Sequence, residues 1–220
     1  MTSSRGPEPV EERLADRLSS GQARRPSRTV QLLRRLGRLD RAAYRAVAEV
    51  STPRLDGPLR WVSDFANFSK PWLLVAGVLA LFGGPQGRRA AVTGVAAIGV
   101  TSFVVNQPMK LAGERRRPDR TQLGVPESRW VTMPSTTSFP SGHSASAAAF
   151  AISVGDVLPG LRLPLRAAAA VVGFSRVYTG VHYPGDVVVG ATVGALVGWA
   201  TSAVARRLRR RSVRHKSQMT

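Results

Sequence analysis

Residues 186–205 read DVVVGATVGALVGWATSAVA, and a run of arginines begins at Arg206. The stretch has the roughly 20 residues that a helix needs to cross a bilayer, and it lacks the period-two alternation of a half-buried strand. Gly190, Gly194 and Gly198 recur at every fourth position, so they share one helix ridge that a neighbouring helix can approach closely. The stretch therefore predicts a membrane-spanning helix that packs tightly against another helix and ends in basic residues.

Four further apolar stretches precede this one and indicate helices for the same reason. They cover residues 71–82, 90–109, 144–158 and 163–174. Of the four, only 90–109 approaches the length of a span, so the others must be extended by polar residues that face the bundle interior or an aqueous pocket. A soluble helical bundle is the alternative, but the arginines that follow the stretch 186–205 favour the membrane.

Two helices of weaker signal are predicted before the apolar stretches. Residues 29–50 mix leucine, valine and alanine with arginine, a composition typical of an amphipathic helix on a membrane surface. Pro53 and Gly57-Pro58 are expected to end it, and a short second helix is expected over 59–68. The predicted fold is therefore all-α: a multi-pass membrane bundle of about five to six helices, with N-terminal interfacial helices.

The chain is strongly basic, and its charge is unevenly placed. Lys and Arg number 32 against 13 Asp and Glu, a formal net charge of +19, and much of it lies in residues 5–60 and 206–216. Basic ends beside apolar segments suit anionic membrane lipids as partners. No nucleic-acid partner is expected, because aromatic residues make up only 6% of the chain and the basic residues lie in polar tails. The absence of cysteine excludes disulfides, thiolate metal sites and cysteine nucleophiles.

This pattern divides the chain into four segments. We expect a disordered basic tail over 1–28, interfacial helices over 29–69, a membrane-embedded domain over 70–207 and a basic tail over 208–220. The first segment lacks the apolar core of a secretory signal peptide. Five crossings would put the termini on opposite sides, yet both termini are basic and favour the cytoplasm. Either a weak sixth crossing between Arg41 and Phe68 or an interfacial position of the first helices would reconcile them.

Several polar residues in this chain are suited to binding a phosphoryl group. Lys110, Arg117 and Arg176 supply cations, and the two arginines offer planar forks for bidentate contact. Taken alone, the run from Arg115 to Arg117 could equally be a solvated loop. Arg176 is a stronger indication of a functional site, because it ends an apolar run where an unpaired charge is costly.

Pro140-Ser141-Gly142-His143 opens the helix predicted over 144–158. The free amides at a helix start favour an anion, Ser141 can cap the helix or donate to phosphate, and Gly142 allows close approach. His143 would then lie within reach of a leaving group as a general acid. The alternatives are a simple cap for Ser141 and a partly exposed interfacial histidine for His143.

His182 and Asp186 lie around the start of the last predicted helix, with Pro184 suited to its first position. A carboxylate so placed can hold one imidazole nitrogen protonated and leave the other as a nucleophile or base. Antiparallel threading of the five helices puts the ends that carry these motifs on one face of the bundle. The motifs are therefore predicted to form a single site.

Residues 110–118, 140–143 and 175–186 together resemble the three signature motifs of the type 2 phosphatidic acid phosphatase superfamily, which includes lipid phosphate phosphatases, bacterial acid phosphatases and vanadium-dependent haloperoxidases. The resemblance implies that His182 attacks phosphorus to form a phosphohistidine, that Asp186 orients it, and that His143 protonates the leaving alkoxide and later activates water. It also implies a set of phosphate-binding residues: Lys110, Arg117, Ser141, Gly142 and Arg176. No metal and no other cofactor is expected.

The leading hypothesis is an integral membrane phosphatase acting on a lipid phosphate or diphosphate. Candidate substrates are phosphatidic acid, phosphatidylglycerol phosphate, polyprenyl diphosphate and polyprenyl-linked phosphoribose. By the same resemblance, the site faces the outside of the cell membrane and the C-terminal tail the cytoplasm. The alternatives are a vanadate-dependent haloperoxidase, against which the apolar helices argue, and a non-catalytic basic membrane protein that binds anionic lipid.

Overall fold

A computed structural model of the chain describes residues 27–109 and 115–217. The chain divides into two units, Met1–Arg38 and Leu39–Thr220. The described residues form the helices α1 (Arg28–Glu49), α2 (Pro53–Phe65), α3 (Lys70–Phe82), α4 (Gly84–Val104), α5 (Gly142–Val157), α6 (Arg162–Tyr178) and α7 (Pro184–Ser217). No strand occurs in this described part of the chain, and the predicted all-α fold is confirmed.

The start of α2 corrects one expectation. The first helix ends before Pro53, as predicted, but the predicted start of the second helix at residue 59 is wrong, because that helix begins at Pro53 and runs through Gly57 and Pro58. Proline fits the first helical position, where its missing N–H would have no partner. Pro58 removes one helical hydrogen bond, but the turn around it is anchored by the buried Asp56. The carboxylate of Asp56 accepts a hydrogen bond from Nε of Arg129 at 3.0 Å.

Two helices in the described residues are long and apolar enough to cross a membrane. They are Gly84–Met109 and Pro184–Ser212. These two helices contain the apolar stretches 90–109 and 186–205, which the sequence indicates are long enough to span a membrane. Pro53–Phe65 and Asn67–Phe82 pass the same test as a pair bent by 70°, which raises the number of spans to three if they form one.

Helices α5 and α7 pack backbone against backbone along the glycine ridge of α7. A Cβ atom built on Gly190, Gly194 or Gly198 would lie 2.4, 1.9 or 2.6 Å from a backbone carbonyl oxygen of α5 or of the residue preceding it. Only glycine leaves room for an approach this close. The predicted small-residue contact is confirmed, and it brings the first residues of α5 next to the first residues of α7.

The other faces of α5 form the apolar core with α3, α4 and α6. Phe150 of α5 is fully buried and lies 5.6 Å, ring centre to ring centre, from Trp72 of α3. Gly94 of α4 lies beneath the ring of Phe150, since a Cβ there would come within 2.7 Å of it. Helix α5 is therefore enclosed by its neighbours, and residues at its start are fixed in position.

We predict that Gly194→Ala destabilises the folded protein by at least about 2 kcal/mol, because the added methyl forces α5 and α7 apart. Gly99→Ala on α4 is the matched control, since a Cβ there meets nothing within 4 Å and alanine favours a helix. Thermal melting followed by size-exclusion chromatography in detergent measures the difference. Equal melting midpoints for the two variants would contradict the close contact.

Candidate active site

His182 lies in the turn between α6 and α7 and is only 2% exposed. Its Nδ1 lies 3.6 Å from Oδ2 of Asp186 and 3.5 Å from Oγ of Ser138. Its Nε2 lies 3.3 Å from Nη1 of Arg117. One ring nitrogen therefore faces a carboxylate, and the other faces a cation. A carboxylate beside Nδ1 favours the tautomer whose proton is on that nitrogen, which leaves a lone pair on Nε2.

The protonation state of His182 follows from its surroundings. Burial lowers the pKa of His182 from 6.5 to about 4, and the charges of Arg117 and Arg176 act in the same direction. The hydrogen bond and the charge of Asp186 oppose this shift without overcoming it. The imidazole is accordingly neutral near pH 7, as a nucleophile must be.

Asp186, in the first turn of α7, is completely buried. Its Oδ1 accepts a hydrogen bond from Nη1 of Arg115 at 2.8 Å. Its Oδ2 accepts from Oγ of Ser138 at 2.5 Å and from the backbone N–H of Tyr183 at 2.9 Å. A buried carboxylate is stable only when it is paired and hydrogen-bonded, and these contacts meet that requirement while leaving Oδ2 directed at the imidazole.

Arg115 connects two carboxylates. While Nη1 binds Asp186, Nη2 binds Oδ2 of Asp40 at 2.5 Å, and the guanidinium carbon lies 4.0 Å from the centre of the Tyr183 ring. Oδ1 of Asp40 in turn accepts a hydrogen bond from the backbone N–H of Gly185 at 2.6 Å. An aspartate of α1 is thus coupled to the turn that carries the histidine.

Arg117 is held by carbonyl oxygens. Its Nε donates to the carbonyl of Thr136 and its Nη1 to that of Val181, each at 2.8 Å. Arg116, between the two bonded arginines, is exposed. The interpretation of residues 115–117 as a solvated loop therefore fits Arg116 alone.

A cavity of about 170 Å³ brings the two histidines together. Gly142 and His143, at the start of α5, line it together with Arg117 and His182. The remaining wall consists of Ala66, Phe68, Ser69, Thr101, Ser102, Val105, Pro134 and Thr136. Nε2 of His143 lies 2.9 Å from Oδ1 of Asn67, in the connection between α2 and α3. The cavity thus combines a cation, two imidazoles and a helix start, the groups that binding and protonating a phosphoryl ester require.

Ser141 has a capping role in this structure. Its Oγ accepts hydrogen bonds from the backbone N–H and the hydroxyl of Ser144, at 3.4 and 3.0 Å. Its own N–H donates to the backbone oxygen of Asp186 at 2.9 Å. Among the described residues, the cavity wall includes Gly142 and His143 of this motif and leaves Ser141 behind them.

Arg176 is 1% exposed and lies behind the cavity wall. Its Nη1 donates to the backbone oxygen and the hydroxyl of Ser63, at 2.8 and 2.7 Å, and its Nε has no hydrogen-bond partner among the described residues. Its carbonyl oxygen accepts hydrogen bonds from the N–H groups of Val181 and His182, both at 3.1 Å. Arg176 therefore positions the histidine turn through its backbone and adds positive charge beneath it.

A model of the PAP2 superfamily matches residues 90–210 of this chain. The chain belongs to the PAP2 superfamily. Decaprenylphosphoryl-5-phosphoribose phosphatase of Mycobacterium tuberculosis is 36% identical over 160 residues, which cover 71% of this chain and 84% of that protein. Undecaprenyl-diphosphatase BcrC of Bacillus subtilis is 28% identical over 152 residues, 66% of this chain and 72% of the relative.

A solved PAP2 structure shares the fold. The transmembrane PAP2 type phosphatidylglycerolphosphate phosphatase of Bacillus subtilis aligns with a TM-score of 0.61 and 24% identity, over 78% of this chain and 87% of that one. The predicted family, the phosphatase class and the multi-pass membrane bundle are confirmed by these comparisons. The protein is accordingly a membrane protein.

Several residues that build this PAP2 site lie outside the sequence motifs. One predicted site residue lies outside the described part of the chain. Lys110 falls between the described ranges. Ser138, Asp40 and Asn67 contact motif residues but belong to no motif. Arg115 lies within residues 110–118 but was not among the predicted site residues, although it contacts Asp186. Asp40 could have been identified as a candidate from the sequence, because an acidic residue is rare in the otherwise basic helix α1. Ser138 and Asn67 could not have been identified in this way, because serine and asparagine are common in loops.

We predict that Arg115→Gln lowers kcat by about 10–100-fold and leaves KM nearly unchanged. The substitution removes a charge-assisted hydrogen bond, typically ~1.5–3 kcal/mol, from Asp186 but no residue from the cavity wall. Steady-state phosphate release by the purified protein in detergent measures both constants.

Arg116→Gln is the matched control for this prediction, since it removes the same charge from the exposed neighbour. Arg115→Lys should recover part of kcat, because it restores the charge. If Arg115→Gln behaved like Arg116→Gln, Arg115 would have no positioning role.

Proposed function

We propose that this PAP2 protein hydrolyses a lipid phosphate or polyprenyl diphosphate without a metal ion, through a phosphohistidine formed on His182. The observation that supports this best is the position of Nε2 of His182, beside Arg117 in a cavity that also contains His143. Within residues 27–109 and 115–217, no three His, Asp or Glu side chains are grouped so as to hold a metal ion. The charges that would offset a phosphoryl group are instead arginines.

The first half of the proposed reaction transfers the phosphoryl group to the protein. The Nε2 lone pair of His182 attacks phosphorus, and the bond from phosphorus to the oxygen of the leaving group breaks. His143 gives a proton to that oxygen, so that a phosphate monoester releases an alcohol and a polyprenyl diphosphate releases a polyprenyl monophosphate. Asp186 stabilises the positive charge that develops on the His182 ring.

The second half regenerates the protein. Neutral His143 takes a proton from water, the resulting hydroxide attacks phosphorus, and the phosphorus–nitrogen bond breaks with its electron pair returning to Nε2. Inorganic phosphate then leaves. Arg117, the amide of Gly142 and the more distant Arg176 would stabilise the equatorial oxygens in both transition states, together with Lys110 and Ser141.

A polyprenyl-linked phosphate is the substrate class that we favour. The relative with 36% identity is named for decaprenylphosphoryl-5-phosphoribose, and a second relative for undecaprenyl diphosphate. The cavity also has an apolar side: Phe68 is 87% exposed at its wall, and Val105 and Ala66 lie beside it. An apolar chain entering from the membrane would meet these residues while its phosphate reaches Arg117.

We also propose that the site opens on the outer face and that the C-terminal end is cytoplasmic. Helix α7 begins at the site and ends in arginines, and basic residues next to a span favour the cytoplasmic side. A lipid phosphate on the outer leaflet would then reach the cavity directly.

A phosphate-release screen with EDTA tests the proposed function. We expect the purified protein to release phosphate from polyprenyl-linked phosphoribose or polyprenyl diphosphate faster than from phosphatidic acid or phosphatidylglycerol phosphate, with no loss in EDTA. His182→Ala should abolish release, whereas His215→Ala, which changes the histidine outside the motifs, should not. Activity restored only by a divalent ion, or retained by His182→Ala, would contradict the proposal.

A further inference from the structure

A second polar region lies at the other end of the helices that carry the site. Two neighbouring cavities, of about 370 and 440 Å³, share Asp156 at the end of α5 and Ser202 on α7. Arginines contributed by three helices surround this pair: Arg89, Arg162, Arg166, Arg206 and Arg209. We call these five residues the arginine cluster.

The positive charge of the arginine cluster is only partly neutralised within the chain. Arg206 forms an ion pair with Asp156, and Nε of Arg162 donates to the carbonyl of Gly155 at 2.8 Å. Asp156 is the one acidic residue among the described residues that line either cavity. Five guanidinium groups around one carboxylate favour an additional anion.

Ser202 provides a second, independent indication of a ligand. The residue is 2% exposed, it lines both cavities, and its Oγ has no hydrogen-bond partner among the described residues. Buried hydroxyl groups in folded proteins are hydrogen-bonded in the great majority of cases. A phosphate oxygen bound between the arginines would supply the acceptor that Ser202 lacks.

The position of the cluster along α7 indicates its relation to the membrane. Arg206 follows Asp186 by 20 residues on one continuous helix, a rise of about 30 Å, which is the thickness of a bilayer's hydrocarbon core. The cluster therefore lies at the membrane face opposite the active site and cannot share its substrate.

Apolar side chains next to the cluster favour a lipid over a free anion. Leu196 and Trp199 line the second cavity and are 62% and 64% exposed. They lie on a spanning helix, within about three turns of Arg206 on the side of the hydrocarbon core. Tryptophan is enriched at the membrane interface, where its ring contacts acyl chains and its N–H contacts headgroups.

We propose that the arginine cluster and Ser202 bind the phosphate headgroup of an anionic membrane lipid, with its acyl chains along Leu196 and Trp199. The arginines and the Ser202 hydroxyl donate to the phosphate oxygens, and Asp156 keeps Arg206 directed into the cavity. This site is separate from the phosphatase site and does not depend on the proposed reaction.

The test measures lipid binding by the full chain in detergent. Melting midpoints are recorded during titration with phosphatidylglycerol, phosphatidylcholine or inorganic phosphate, and native mass spectrometry counts the retained lipids. We expect phosphatidylglycerol and not phosphatidylcholine to raise the midpoint, and any effect of inorganic phosphate, which also fits the phosphatase site, to be unchanged in Arg206→Gln/Arg209→Gln. This double variant should weaken the apparent affinity for phosphatidylglycerol by about tenfold or more, since each arginine near anionic lipid contributes substantially.

The matched control is Arg207→Gln/Arg210→Gln, which removes the same charge from residues of α7 that line neither cavity. This variant should bind phosphatidylglycerol almost as the unchanged protein does. Ser202→Ala should weaken binding several-fold without altering any charge, while Ser212→Ala, which changes an exposed serine, should not. If the double arginine variant fails to fold, the effect of Ser202→Ala on phosphatidylglycerol affinity still tests the proposed site.

Three outcomes would overturn the proposal. Equal losses in the two double variants would indicate attraction by diffuse charge and not a site. Equal stabilisation by phosphatidylcholine would exclude recognition of an anionic headgroup. Stabilisation by inorganic phosphate that is lost in Arg206→Gln/Arg209→Gln would assign the site to a free anion and not to a lipid.

Discussion

The site depends on the hydrogen bonds that stabilise the buried carboxylate of Asp186. A charge removed from water must be matched by donors, and here those donors come from separate segments: the side chains of Arg115 and Ser138 and the backbone of Tyr183. Satisfying one carboxylate therefore fixes the loop before α5, the turn before α7 and the orientation of His182 together. The negative charge of Asp186 also favours the tautomer with the proton on Nδ1 of His182. Nε2 therefore keeps its lone pair at the cavity.

The glycine ridge of α7 makes this arrangement possible. Because Gly190 approaches the backbone of Ser141 to contact distance, the starts of α5 and α7 lie side by side. The N–H of Ser141 can then bind the carbonyl oxygen of Asp186 at 2.9 Å. The small residues thus act on the chemistry indirectly, by setting the distance between the helix that carries His143 and the helix that carries Asp186.

The sequence predicted the helices and the members of the site better than it predicted the contacts among them. Apolar stretches and glycine spacing report burial and close packing directly, so the two spans and a close helix contact along the glycines of α7 were predicted. The identity of α5 as the partner helix was not. The start of α2 was not, because Pro53 and Pro58 suggest helix breaks while the buried Asp56 anchors the turn through long-range contacts. Residues 115–117 form a polar run with no periodicity from which side-chain direction could be inferred, so the different environments of Arg115 and Arg116 became visible only in the structure.

Trapping the covalent intermediate tests the central claim most directly. In His143→Ala, phosphorylation by a substrate with a good leaving group such as p-nitrophenyl phosphate should continue, because that leaving group needs no proton, while hydrolysis of the intermediate should slow. After acid-free quenching and proteolysis, the account predicts a phosphoryl group on the peptide that contains His182, stable in alkali and labile in acid. A phosphoryl group on any other residue, or product formation by direct attack of water with no labelled protein, would contradict it.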